Sequence, residues 1–223
     1  MSPTSSDSTA RQALREQFVH LEQQREADTL GMWIFLATEV LLFGALLACY
    51  TVYRLAFAAA FEAASAHMHL WLGTLNTVLL MTSSLTMALG VLAARARARG
   101  YILLMLVLTI GLGTAFLGIK FYEWYLEYSE RLVPLPGLEF TFEGVNPEHA
   151  QLFFNLYFTM TGLHALHLLV GIMIVLVMLI LTWRRYNPLL LEYKVEIAGL
   201  YWHLVDVIWM FLFPLFYLVN PRG

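Results

Sequence analysis

The sequence predicts an all-α, polytopic membrane protein: a bundle of five transmembrane helices. Three observations carry that prediction. Of the 223 residues, 60% are hydrophobic and only 13% charged, whereas a soluble domain sits near 45–50% apolar and about 25% charged. The apolar excess falls into runs of the length, about 20 residues, that a hydrocarbon core of about 30 Å requires. The charged residues gather in the short segments between those runs.

Composition also excludes function classes. The single cysteine, Cys49, rules out an internal disulfide and any Cys-based zinc or iron–sulfur site. A net charge of −3 says little about nucleic acid, but no basic stripe suggests it as a partner. The N-terminus is polar and the first apolar run begins near Leu30, so no cleavable signal peptide is expected.

Residues 1–28 read as a tail, and residues 29–223 as the membrane domain. Residues 1–10 are rich in Ser and Thr and predict disorder. Between Arg11 and Asp28, Leu14, Phe18 and Leu21 share one face, predicting a short helix at the membrane surface or against a partner, with a frayed tail as the alternative. The first span is expected at 30–53, with Asp28 or Thr29 as its cap. Its one charge, Glu39, lies roughly 14 Å from the start at about 1.5 Å per residue, close to mid-depth. The second span, 69–94, contains Leu75-Asn76-Thr77 and Thr82-Ser83-Ser84, small polar residues suited to contact between helices. The third, 101–125, has Gly111, Gly113 and Gly118 for close backbone approach and ends in Lys120-Phe121-Tyr122-Glu123, an interfacial aromatic belt.

A long loop, 126–146, follows. It carries Glu127, Glu130, Glu139 and Glu143 against one base, Arg131, and Pro134 and Pro136 break any helix. Asn146 and Pro147 stand at N-cap and N1 of the fourth span, 148–183, which is longer than a bilayer needs. The fifth span, 195–219, contains His203 and Asp206, spaced i, i+3 on one face and able to pair within their own helix. Arginines and lysines concentrate in the tail, the 95–99 loop and the 184–194 link, so the positive-inside rule puts the N-terminus in the cytoplasm and the C-terminus in the periplasm. No internal repeat is present, which argues against the inverted-repeat transporters.

Ionisable residues inside spans cost roughly 2.5–3.5 kcal/mol to insert, so each should face protein, water or a head group. His164 and His167 suggest structural hydrogen bonding or, as a different class of function, an independent haem-b membrane protein with His203 opposite. No Glu-x-x-His iron motif accompanies them. Glu39 reads as a proton-relay group, a partner between helices or a lipid-facing residue. Glu123 reads as an interfacial residue beside Lys120.

Five motifs, in order, resemble subunit III of the haem–copper terminal oxidases. They are Gly31-Met32-Trp33 with Glu39; Leu75-Asn76-Thr77 with Ser83-Ser84; Phe121-Tyr122-Glu123; Thr161-Gly162 with His164 and His167; and Tyr201-Trp202-His203 with Val205-Asp206. The resemblance spans about Leu30 to Val219. The family's long form has seven helices, and this chain is similar to the short bacterial form without the first two. Lipid sites built from those two helices are therefore not carried over.

The resemblance implies an accessory, non-catalytic subunit docked on subunits I and II of a complex in the bacterial inner membrane that reduces oxygen to water and pumps protons. It implies haems and copper in those partners, no cofactor, catalytic residue or metal ligand in this chain, and roles in stabilising subunit I, binding phospholipid and supporting proton uptake and durable turnover. Glu39 resembles the family's buried, carbodiimide-reactive glutamate, with a structural, lipid-linked or proton-linked role. Glu123 matches a family glutamate at a helix end. Asn76, Glu123, His164, His167, His203 and Asp206 are expected to form a polar network between helices. The short form occurs in cytochrome c oxidases, quinol oxidases and a subunit-III-like protein of nitric oxide reductase. The acidic loop favours cytochrome c over quinol as electron donor to the complex.

Overall fold

The computed structural model describes residues 21–134, 140–142, 146–184 and 187–218. The expected tail helix falls mostly outside these residues, as do Glu139 and Glu143 of the acidic loop. The elements are α1 (Leu21–Ala56), α2 (Ala58–Ser65), α3 (Leu70–Arg95), α4 (Arg99–Ser129), α5 (Pro147–Trp183) and α6 (Pro188–Tyr217). Five of them, all but α2, are long and apolar enough to cross a membrane, so the chain is a multi-pass membrane protein.

Several boundaries differ from the sequence reading. Helix α1 runs through Asp28 and Thr29 instead of being capped there, because the preceding Glu, Gln, Arg and Ala residues are good helix formers. Thr29 Oγ1 instead lies 3.2 Å from the Tyr193 hydroxyl of α6. Helix α4 extends to Ser129, since no breaker precedes Pro134. It closes where Arg131 turns left-handed (φ 57°) and the Leu132 amide returns to the Glu127 carbonyl at 3.0 Å, a Schellman-type end. Arg97 (φ 55°) closes α3 the same way, with Ala98 N–H on the Ala93 carbonyl at 2.9 Å. Pro147 does open α5, but Asn146 adopts a left-handed conformation and makes no side-chain cap bond. The short α2, which the pattern did not suggest, packs against α1 and α5 with Ala60, Phe61 and Ala64 buried.

Helices α3, α4, α5 and α6 form a closed ring, each packed on the next and α6 back on α3. Helix α1 leans on the outside against α5 and α6. Its membrane-length window is 11% buried, against 50% for α6. Helix α6 holds the ring together through a seam of large residues seven apart. Trp202 donates Nε1–H to Ser83 Oγ of α3 at 3.1 Å. Its ring fills the space beside Gly113 of α4 and Gly171 of α5, where a methyl group would come within 2.7 and 3.3 Å of it. Seven residues on, Trp209 donates to Thr77 Oγ1 of α3 at 3.1 Å and meets Phe116 of α4 edge-on, with centroids 4.8 Å apart. Phe216 then packs against Tyr157 and Phe153 of α5. Of the three glycines expected to allow close approach, only Gly113 does so. A methyl group at Gly111 or Gly118 would meet nothing within 4 Å, because both face outward from the ring.

Candidate functional site

The ionisable residues inside the bundle fall into three separate groups. One lies at the end where α4 stops and α5 begins. Lys120 and Glu123, one turn apart on α4, approach at 3.0 Å with side chains 2% and 0% exposed. Lys120 Nζ also donates to the Tyr157 hydroxyl of α5 at 2.7 Å and the Tyr217 hydroxyl of α6 at 2.8 Å. An ammonium has three N–H donors, and all three are used. Tyr217 in turn donates to Glu123 Oε1 at 2.5 Å, so both carboxylate oxygens are held. The ammonium sits over the Tyr157 ring, 4.6 Å from its centroid, adding a cation–π contribution. Tyr217 reaches this position because Gly73 of α3 leaves room: a methyl there would meet its ring at 2.8 Å.

This group corrects two expectations. Lys120 and Glu123 do not sit in an exposed interfacial belt; they are enclosed and join three helices. Glu127, expected on the acidic outer loop, is a residue of α4, buried beside them, and neither of its oxygens has a hydrogen-bond partner among the described residues. The reason is helical phase: 120, 123 and 127 share one face of α4, and the helix continues past the point where the loop was expected.

The second group joins α1 to the ring near mid-depth. Glu39 Oε2 lies 2.9 Å from His167 Nε2 of α5 without hydrogen-bond geometry, and the contact is an ion pair only when the imidazole is protonated. His167 Nδ1 is 2.7 Å from the Leu163 carbonyl. A carbonyl only accepts, so Nδ1 carries a proton and Nε2 is the nitrogen that faces the carboxylate. Phe43 meets the imidazole edge-on and the Tyr201 hydroxyl of α6 donates to the His167 carbonyl at 3.0 Å. The sequence showed no base in Glu39's own span; the partner comes from another helix. Toward the α2 end, the buried Tyr50 hydroxyl donates to the Leu215 carbonyl of α6 at 2.8 Å, a further tie that the sequence did not single out.

The third group lies between α3 and α6. His203 does not pair with Asp206 on its own helix. Its Nδ1 is 2.7 Å from Ser84 Oγ of α3, while both Asp206 oxygens are buried without a hydrogen-bond partner. Asn76 and His164 are likewise enclosed with no side-chain hydrogen bond. His164 packs against Trp209 and Phe116, with centroids 5.1 and 5.7 Å away. The six residues expected to form one polar network are thus distributed over separate sites. His164 packs inside the ring against Trp209 and Phe116, while His167, about 60° further round the same side of α5, faces Glu39 of α1. Among the described residues, no three His, Cys, Asp or Glu side chains converge as a metal-binding set. The signal for Trp202, Trp209 and Phe216 was present in the sequence as a seven-residue spacing of aromatics; the partners of each were not.

A family model described as cytochrome c oxidase subunit III matches residues 16–220. Among curated relatives, a cytochrome c oxidase subunit 3 of Alkalihalophilus pseudofirmus is 31% identical, covering 87% of this chain and 87% of the relative. A probable quinol oxidase subunit 3 of Staphylococcus epidermidis is 29% identical over 87% of this chain and 90% of its own length. A heme-copper oxidase subunit I+III of Aeropyrum pernix is 28% identical over 85% of this chain and 22% of the relative.

Proposed function

The chain belongs to the cytochrome c oxidase subunit III family, and from that premise we propose that it is the accessory subunit III of a proton-pumping haem–copper oxidase in a bacterial inner membrane. Its work is mechanical: it braces subunit I and offers a surface to phospholipid. The observation that carries this reading is the divergence of the histidines. His164 packs against Trp209, His167 faces Glu39 and His203 pairs with Ser84, an arrangement suited to joining helices. Haems and copper belong, in this reading, to subunits I and II. The Aeropyrum pernix relative, whose name joins subunits I and III in one chain, supports subunit I as the neighbour. Glu39 acts as a clasp between α1 and α5. The N-terminus faces the cytoplasm and the C-terminus the periplasm, and reporter fusions after Gly223 and in the 95–99 loop test that orientation.

Cytochrome c is the proposed electron donor to the complex. The acidic outer loop favours it, although Glu127 is buried and does not contribute to that surface. Quinol is the second reading, favoured by the Staphylococcus epidermidis relative.

Purification of the tagged full chain in mild detergent is the test. Co-purification of haem-bearing chains with oxygen uptake is expected, and supplying reduced cytochrome c or quinol to that complex distinguishes the donors. Haem bound stoichiometrically to this chain alone would replace the reading with an independent cytochrome. In the assembled complex, Glu39→Gln should preserve oxygen reduction and proton pumping. A fully assembled but inactive Gln variant would make Glu39 an obligatory proton carrier and overturn the clasp.

A further inference from the structure

On the outer face of the ring, between α3 and α6, a cavity of about 290 Å³ is lined by Thr77, Leu80, Ser84, His203, Asp206 and Trp209. Asp206 is 6% exposed and lines this cavity with both carboxylate oxygens unpartnered. The indole donors around it are directed elsewhere, Trp209 Nε1 to Thr77 and Trp202 Nε1 to Ser83. Ser84, which shares one hydrogen bond with His203, is the one donor near the carboxyl among the described residues. The rim is apolar, and Met81, Val207 and Met210 are about half exposed. The site is therefore an acceptor at the bottom of an open, otherwise greasy notch.

Depth and chemistry narrow the occupant. Within the span Leu191–Tyr217, Asp206 lies roughly 16–22 Å from either end at about 1.5 Å per residue, too deep for a lipid head group. Hydrocarbon tails offer no hydrogen-bond donor. A helix with its side chains is about 10–12 Å across, so the notch takes a side chain and not a helix. We infer that this notch receives a hydrogen-bond-donating side chain, best a basic one, projecting from a transmembrane helix of a partner subunit that docks on the α3/α6 face. Two free acceptor oxygens match the two donors of a guanidinium or the several of an ammonium. The inference rests on the chain being one subunit of a multi-chain membrane complex.

The test places a photo-reactive benzoyl-phenylalanine at Met81 or Met210 in the tagged full chain, with Met173 on the exposed face of α5 as control. After irradiation of membranes, the rim positions should link to a transmembrane segment of another chain that contains a basic or other donor residue. Adducts with phospholipid alone, while haem-bearing chains still co-purify, overturn the notch as a protein site and leave the subunit reading intact. Failure of any chain to co-purify overturns both. In parallel, Asp206→Leu should lower retention of the partner during detergent extraction by about tenfold or more, with Asp206→Asn between it and the wild type. Undiminished retention in Asp206→Leu also overturns the inference.

Discussion

Two buried acidic sites in this bundle differ in completeness. At Lys120 and Glu123, the three ammonium donors and both carboxylate oxygens are satisfied by α4, α5 and α6 of the same chain. At Asp206, both oxygens are unpartnered and the side chain lines an open notch. A closed site stabilises the chain that contains it, because breaking it strands a charge in low dielectric. An unpartnered carboxyl at an open notch contributes little to its own chain and is available to another molecule. The ring of α3 to α6 thus contains both a structural lock and a docking point, distinguished by which donors reach them.

The strongest way to break that comparison is Lys120→Met. It leaves Glu123 without its cation, and the expected loss is about 3–5 kcal/mol of stability, read as a large fall in the thermal unfolding midpoint of the detergent-solubilised chain. Adding Glu123→Gln should recover much of it. A small effect of Lys120→Met would mean the site is hydrated and not a lock.

Next in size is Gly113→Ala. Its methyl would come within 2.7 Å of the Trp202 ring, so overpacking should cost about 1–3 kcal/mol. The same change at Gly111 or Gly118, where the space is open, should instead be neutral or stabilise by up to about 1 kcal/mol, the usual gain of Ala over Gly in a helix. Equal effects at all three glycines would remove Trp202 as the centre of the ring.

Asp206→Asn sharpens the contrast from the other side. In the purified chain it should change stability by less than about 1 kcal/mol, since the amide oxygen can still accept from Ser84, the one nearby donor among the described residues. The same thermal assay as for Lys120→Met reads this directly, and a loss as large as that of Lys120→Met would show that Asp206 is locked internally. Smallest of all is Arg95→Ala. Its 2.6 Å contact with Glu196 is half exposed, and an exposed pair is expected to contribute about 0.2–1 kcal/mol, diminishing with added salt.

Much of the architecture was legible in the sequence alone. Five apolar runs, each of membrane length, leave a chain in a bilayer no alternative but helices, because every backbone N–H and C=O must be satisfied within its own segment. The same logic flagged Glu39, His164, His167, His203 and Asp206, since ionisable groups in such runs are costly. Pro147 as the first residue of α5 followed from local backbone chemistry. These are properties of a residue and its immediate neighbours, and the sequence contains them.

Partnership belongs to the tertiary structure. That Glu39 meets His167 rather than lipid, that His203 pairs with Ser84 and not Asp206, and that Glu127 is enclosed rather than displayed all depend on how helices are rotated about their axes. Apolar runs this uniform specify that rotation weakly, because hydrocarbon outside and side chains inside are nearly the same solvent. The rotation is set instead by shape and by scarce polar contacts: the indole of Trp202 beside Gly113 and Gly171, Tyr217 beside Gly73, and an ammonium that needs three acceptors at once. Such constraints join residues up to 144 positions apart, as Gly73 and Tyr217 are, and only the packed bundle brings them together.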